Sequence, residues 1–422
     1  MINISTRPAI GDGATWACST QFGAPQMAGN AGSNGQMLQV LDAILVNGFN
    51  SQVSTGIELL LDGFVKIKFG TAVGYQKRQK LLISGADDSN LNGEHIITQV
   101  IGNDFVIKAP AVTVTTGTIT TKVAPLGWES IFGSLDPLKR AYRSKNPNTT
   151  QSVLYLDMTI PANSGYDATN PPKRAMVSIC KDMVELGVQI GSYTDGTNDY
   201  ATNPNGSLFW RQKHSGSSSG TAGIVTTSKP SPWTIVGNGD YFYFMVEWTS
   251  STYVYIEGLK DLYCFGDMPS VLGSLDEWCC AWAGCYSVND LSTSRTASFN
   301  GASIGSQDAR FFISRHDGLI DMPGFAFSCG GVPGSYTSGN AGTISFPNPT
   351  SNSMIVSSIY SISSGALRSY VPRLLSVQHT LDTNYTLYNN TFIDGVLLVS
   401  MSNNNASTPS LRVAYFGFDM GD

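Results

Sequence analysis

Four histidines, at positions 95, 214, 316 and 379, and seven cysteines, at 18, 180, 264, 279, 280, 285 and 329, are the side chains most able to ligate a metal or attack an electrophile. No histidine stands in an H-E-x-x-H spacing, and no C-x-x-C pair offers half of a tetrahedral zinc site. Cys279, Cys280 and Cys285 are close in sequence, but adjacent cysteines point in different directions and no second pair completes a site, so buried free thiols are expected. His316-Asp317 precedes Gly318 and reads as a turn. The pattern G-x-S-x-G occurs at Gly216, Ser218 and Gly220 without an apolar strand before it or a helix after it, so the strained elbow that exposes a nucleophile is missing. Asp240, Glu247, Asp267, Asp276 and Glu277 are the acids from which a glycoside-cleaving pair would be drawn. Such a pair need only meet in space at about 5 to 9.5 Å, and no sequence spacing singles one out. No catalytic residue, metal or cofactor is assigned, and the chain is expected not to be an enzyme.

Side chains suited to binding are easier to find. Lys139, Arg140, Arg143 and Lys145 make the densest basic patch, which serves either as a solvated, salt-bridged face or as a contact with a neighbouring subunit. Tyr193, Tyr200, Trp210, Tyr253 and Tyr255 could form an aromatic platform for a sugar ring, although each suits a core or a subunit seam equally well. With 25 basic against 31 acidic residues the formal net charge is -6, which argues against a general nucleic-acid coat. The sequence lacks an 18-residue apolar run, so no membrane insertion is expected. The leading Met-Ile-Asn-Ile-Ser-Thr-Arg has neither the basic flank nor the apolar centre of a signal peptide, and an odd cysteine count points to folding in a reducing cytoplasm.

The elements that must carry these residues are mostly strands. Glycine at 44 of 422 residues, with 19 prolines, suits many turns between short strands. Residues 1–36, rich in Gly, Ala, Ser, Thr and Asn around Trp16 and Met27, read as an extended docking arm. Residues 37–50 read as a short helix or linker, because Leu38, Leu41, Ile44 and Leu45 share a helical face that ends near Asn47-Gly48. Residues 51–127 form a small β-module: Val65, Ile67 and Phe69 alternate with Lys66 and Lys68, and Asn92-Gly93 and Gly102-Asn103-Asp104 mark turns. Residues 128–422 form a large β-rich body with long polar loops. Within it Leu154, Leu156, Met158 and Ile160 share one strand face, while residues 175–187 fit a helix and a strand equally. Trp233, Ile235, Phe242, Phe244, Val246 and Trp248 are expected in the core, with Tyr241 and Tyr243 free to turn a hydroxyl to water or a partner. The fold class is therefore mainly β: an antiparallel, sandwich-like body with a small N-terminal β-module and an extended N-terminal arm.

The segments APLGWESIFGSLDPLKRAYRS (124–144), SPWTIVGNGDYFYFMVE (231–247), LYCFGDMPS (262–270) and LRVAYFGFDMG (411–421), in that order, resemble virion structural proteins of the tail, baseplate or neck region of tailed bacteriophages. ISGADDSNLNGEHIITQVIGNDFVI (83–107) is similar to β-modules of such proteins. The resemblance implies a multi-copy assembly part without catalytic residues, located in the virion after synthesis and assembly in the host cytoplasm. Its partners would be copies of itself and other tail, baseplate or neck proteins. The alternative is a receptor- or glycan-binding module for host adsorption. The residues expected at subunit contacts are Trp16, Lys139, Arg140, Arg143 and Trp210.

Overall fold

The computed structural model describes residues 13–27, 35–133, 135–159, 174–192, 208–211, 230–247, 260–268, 278–283, 310–315, 325–328, 355–363, 366–378, 389–393, 395–403 and 412–420. The protein is predominantly antiparallel β, arranged in sheets of seven, six and twelve strands. The described helical structure is brief. An α-helical turn, Gln36–Leu41, continues as a π-helical stretch, Asp42–Asn47, burying Leu38, Leu41, Ile44 and Leu45 as the helical spacing predicts. Gly48 ends it at φ 73°, a left-handed conformation, with the Val123 carbonyl packed where a side chain would stand. The last helical carbonyls are taken up by Leu126 N–H on Ile44 O at 2.9 Å and by Lys122 Nζ on Asn47 O at 2.6 Å.

The seven-stranded sheet lies within residues 49–123. Its two ends are Phe49–Val53, paired with Gly117–Val123, and Gly56–Leu59, paired with Phe64–Lys68. Only Ser54 and Thr55 separate these ends, and their amides donate to Ile119 O and Lys68 O at 2.9 and 2.8 Å. The sheet thus curls until its ends meet, which protects most of its strand edges. The alternation expected at residues 64–69 is present: Val65 and Ile67 point inward at 1% exposure or less, while Lys66 and Lys68 pair with Asp104 and Glu58 at 3.2 and 2.8 Å. Gly102, at φ 60°, and Asn103 form the two-residue turn joining Gly93–Ile101 to Asp104–Lys108.

The other two sheets pack face to face. In the middle sheet, Val153–Asp157 sends Leu154 and Leu156 into the main core and Val153 and Tyr155 into a smaller cluster on the opposite face. Met158 joins the main core, and Ile160 lies outside the described residues. The ambiguous segment is a strand, Arg174–Glu185, because it pairs with Val153–Asp157 on one side and with Val188–Ser192 and Leu208–Arg211 on the other. Long-range pairing decides what local spacing left open.

In the large sheet all seven residues of Tyr241–Glu247 are buried. Phe242, Phe244 and Val246 face the middle sheet across the main core, and Trp233 and Ile235 join them there. Tyr241, Tyr243 and Met245 face a second core with Leu374, Leu397, Val399 and Phe418. The Tyr243 hydroxyl donates to Pro372 O at 2.6 Å, which corrects the expectation that it meets water or a partner. Both tyrosines lie inward because the far end of the same sheet folds back over this face. Trp248 lies outside the described residues.

Asp88 staples the two long loops of the small sheet. Its carboxylate accepts Thr113 N–H at 2.7 Å, Val114 N–H at 3.1 Å and Asn90 N–H at 3.0 Å. The bonds from Thr113, Asn90 and Val114 lower its pKa from 3.8 to about 2. A carboxyl whose pKa falls on folding stabilises fully above its unfolded pKa and loses that contribution as pH falls through its folded value. Asp88→Ala should therefore speed hydrogen exchange at the amides of residues 109–116 at pH 7. The difference from wild type should shrink between pH 4 and pH 2, as read by exchange mass spectrometry.

Candidate functional site

The five residues expected at subunit contacts fall into two groups, divided by the alternation of a strand. Lys139–Ser144 pairs with Trp128–Ser130 on one side and Val153–Asp157 on the other. Its odd-numbered residues share a face with Ala141, which belongs to the smaller cluster, and its even-numbered residues share one with Tyr142, which belongs to the main core. What reads in sequence as one basic patch is split between two sides of a sheet.

Arg140 goes inward. It is 5% exposed, and its Nε donates to Asp42 at 2.9 Å, while Nη1 reaches the carbonyls of Asp136 and Lys139. Tyr142, fully buried, donates its hydroxyl to the same Asp42 carboxylate at 2.8 Å and to Leu38 O at 3.2 Å. Burial first, then the neighbouring Asp42 charge, push the Tyr142 hydroxyl well above its ordinary range, so it stays protonated and donating. This cluster fastens the helical segment to the middle sheet. Arg140 is thus corrected from an external contact to an internal ion pair, because its strand parity and the helix covering that face leave it no path to solvent.

Asp42 is the residue that sequence reasoning missed. It lies four positions after Leu38 and three before Leu45, on the apolar face of the helix, and an acid there requires a buried partner.

Lys139 and Arg143 lie on the outer face. Lys139 Nζ is 3.5 Å from Asp157, and Arg143 pairs with Asp182, whose side chain is 53% exposed. Tyr155 also donates to Asp157, at 3.1 Å. Beneath these pairs Cys180 is buried, which together with the Asp182 charge raises its thiol pKa to about 12 and leaves it unreactive.

The two indoles are also internal. Trp210 is fully buried, stacked on Tyr263 at 5.4 Å and 19°, with Phe242 and Phe244 beside it. Trp16 is 6% exposed and meets Phe392 edge-on at 5.4 Å. Both are corrected from partner-facing anchors to core residues: the large sheet closes over Trp210 from across the main core, and the returning part of Trp16's own sheet closes over Trp16. Trp210 consequently contributes nothing to an exposed aromatic platform. Tyr193, Tyr200, Tyr253 and Tyr255 lie outside the described residues.

Of the candidate acids, Asp240 and Asp267 meet at one seam, where Asp267 N–H donates to Asp240 O at 2.9 Å. Asp240 accepts Asn146 Nδ2 at 2.6 Å, and Asp267 accepts both the amide and the hydroxyl of Thr150 at 2.6 Å. Trp128 Nε1 donates to Asn238 O at 2.7 Å in the same seam. The acids therefore bind a loop of the middle sheet to the end of a hairpin in the large sheet. Glu247 is buried, and Asp276 and Glu277 lie outside the described residues.

His95 is held in the small sheet, its Nε2 donating to Leu91 O at 3.0 Å, and burial lowers its pKa. His214, His316, His379, Gly216, Ser218, Gly220 and Cys285 lie outside the described residues. Among the described residues no three His, Cys, Asp or Glu side chains converge as a metal site, and no helix is long and apolar enough to cross a membrane.

No protein-family model matches this chain, and no curated protein matches it. Among solved structures it is similar to the phage phi92 endosialidase, with 7% identity and a TM-score of 0.15 over 88% of this chain and 52% of that one. The chain thus spans about half the length of that protein, and a likeness of this degree carries no argument about activity.

The inner and outer cations should respond differently to removal. Arg140→Ala strands the Asp42 charge and should cost roughly 3 to 5 kcal/mol in urea unfolding. Asp42→Asn combined with Arg140→Met should recover part of that loss. Arg143→Ala should cost no more than about 1 kcal/mol, since its partner is half exposed.

Proposed function

We propose that this chain is a structural component of a tailed-phage particle, joining neighbouring tail, baseplate or neck proteins through subunit contacts, and that it is not an enzyme. The resemblance of its ordered framework segments to virion structural proteins supports the phage setting. The use of its polar chemistry supports the mechanical role. Asp42, Asp88, Asp240 and Asp267 each hold loops, helix or sheets together through short hydrogen bonds.

The observation that carries the joining role is an apolar strand at the margin of the middle sheet. Among the described residues Val188–Ser192 pairs on one side only, with Arg174–Glu185. Val188 and Ile190 are 46% exposed, and Val184 on the adjoining strand is 66% exposed. A strand edge with exposed β-branched side chains is a template for pairing with another chain. In this reading, a neighbouring protein of the particle covers that edge. The protein is made in the host cytoplasm and ends in the virion.

Affinity-tagged chain should be found by electron microscopy at repeated positions on purified particles. Val188→Lys with Ile190→Lys should leave the far-ultraviolet circular dichroism unchanged and lower incorporation by roughly tenfold, from the loss of apolar contact at an interface. Particles that form at full titre without the protein would overturn the reading. Binding of the isolated chain to host cells, with no repeated position in the particle framework, would favour host adsorption instead.

A further inference from the structure

The seven-stranded sheet is rooted in the chain at one end. Its first residue, Phe49, and its last, Val123, are paired with each other, so the chain enters and leaves the sheet at adjacent points. The helical segment joins this end through Leu126 N–H on Ile44 O at 2.9 Å. A sheet rooted on two neighbouring strands pivots about them unless a further contact opposes the motion, because a few residues at element ends are enough to make a hinge. Residues 69–79, the loop between Phe64–Lys68 and Lys80–Ala86, lie beside the root. Asn50 Nδ2 donates to Val73 O and the Tyr75 hydroxyl donates to Asn50 O, each at 2.8 Å.

Residues 13–27 touch both this loop and the twelve-stranded sheet. On the large sheet the hold is a ladder: Thr15–Cys18 pairs with Trp233–Gly237, and Ser19 N–H donates to Trp233 O at 2.9 Å. Further along, Trp233 Nε1 donates to Pro25 O and Ser231 N–H donates to Met27 O, each at 2.9 Å. Trp16 and Cys18 are buried in the second core. On the small sheet the hold is close packing. Gly74 stands at φ 68°, and a Cβ there would come within 2.2 Å of the Phe22 Cβ. A Cβ on Gly23 would come within 2.9 Å of that of Asn50. Phe392 of the large sheet is shared: Trp16 meets its ring edge-on at 5.4 Å, and the Arg78 guanidinium, from the loop, lies 5.4 Å from the ring centre.

We infer that residues 13–27 are a strap that locks the seven-stranded sheet to the twelve-stranded sheet, with Trp16 fixed in the large sheet and the Phe22-Gly23 turn pressed on loop 69–79. The two holds are unequal. The ladder is hydrogen-bonded and buried, whereas Phe22 is 57% exposed. The placing of the small sheet is therefore conditional: with the strap seated the loop is clamped, and with the strap loosened the sheet pivots on Phe49 and Val123. This coupling does not rest on the proposed place in a phage particle.

Hydrogen exchange of the whole chain, read by mass spectrometry, tests the strap. Within the loop, the amides of Gln76, Arg78 and Gln79 are hydrogen-bonded and report its order. Phe22→Ala should speed exchange across residues 71–79 by about threefold and leave residues 233–237 unchanged. Trp16→Ala should speed both regions roughly tenfold, and Trp16→Phe, which keeps a ring against Phe392, should return residues 71–79 to near the wild-type rate. Val153→Ala opens a cavity in the smaller cluster, away from the strap, and should leave residues 71–79 unchanged. Wild-type rates at 71–79 in both Phe22→Ala and Trp16→Ala would overturn the strap. Equal acceleration of that loop by Val153→Ala would overturn it too, since the loosening would then be general. If Trp16→Ala unfolds the whole body, Phe22→Ala decides alone, because its side chain is largely exposed. None of these outcomes bears on the phage reading, whose test is incorporation into particles.

Discussion

Burial of one strand on both faces is the constraint from which the rest of the architecture follows. Tyr241–Glu247 has no face for water, so each face must be closed by a different layer: the middle sheet over Phe242, Phe244 and Val246, and the returning half of its own sheet over Tyr243 and Met245. Fully buried aromatic and aliphatic side chains each contribute about 1.5 to 3 kcal/mol, and dense interiors penalise gaps. Two layers are consequently tied to a single strand. The T-shaped contact of Trp128 with Phe242 at 5.3 Å and the tilted contact of Tyr243 with Phe418 at 5.2 Å lie on its opposite sides.

Apolar layers do not by themselves settle how they are placed relative to one another, and here partly buried polar groups add that direction. Asp42, Arg140 and Tyr142 join helix to sheet in one hydrogen-bonded cluster, and Asp240 and Asp267 join sheet to sheet through Asn146 and Thr150. A charge partly withdrawn from water is best accommodated when its partners are fixed in place, so each cluster favours few arrangements of the layers it joins. In a chain where only 13% of residues are charged, several are committed to these seams. Asp240 and Asp267, drawn from the candidate acids, and Arg140, drawn from the basic patch, each hold one of these seams.

Exposed apolar groups and strand edges remain where construction stops. Among the described residues the marginal strand Val188–Ser192 keeps one side unpaired, with Val188 and Ile190 exposed, and a neighbour pairing there would follow the same rules as the strands inside the sheets. The proposed assembly role would draw on the interaction that stabilises the body, at a different position.

Much of the secondary structure was legible because it depends on local spacing. The helical face of Leu38, Leu41, Ile44 and Leu45, the alternation of Val65 and Ile67 with two lysines, the Gly102-Asn103 turn and the apolar run at 233–247 each record a backbone period or a glycine requirement in adjacent residues. The mainly β class with its N-terminal module follows from them. The side on which a residue ends up does not. Trp16, Trp210 and Arg140 suit a partner surface as well as an interior, and residues 175–187 suit helix as well as strand, until distant segments supply the covering layer or the pairing neighbour. The amino-acid order determined the strands and their two faces. Only the tertiary structure decided which faces water never reaches, because burial belongs to pairs of segments far apart in the chain.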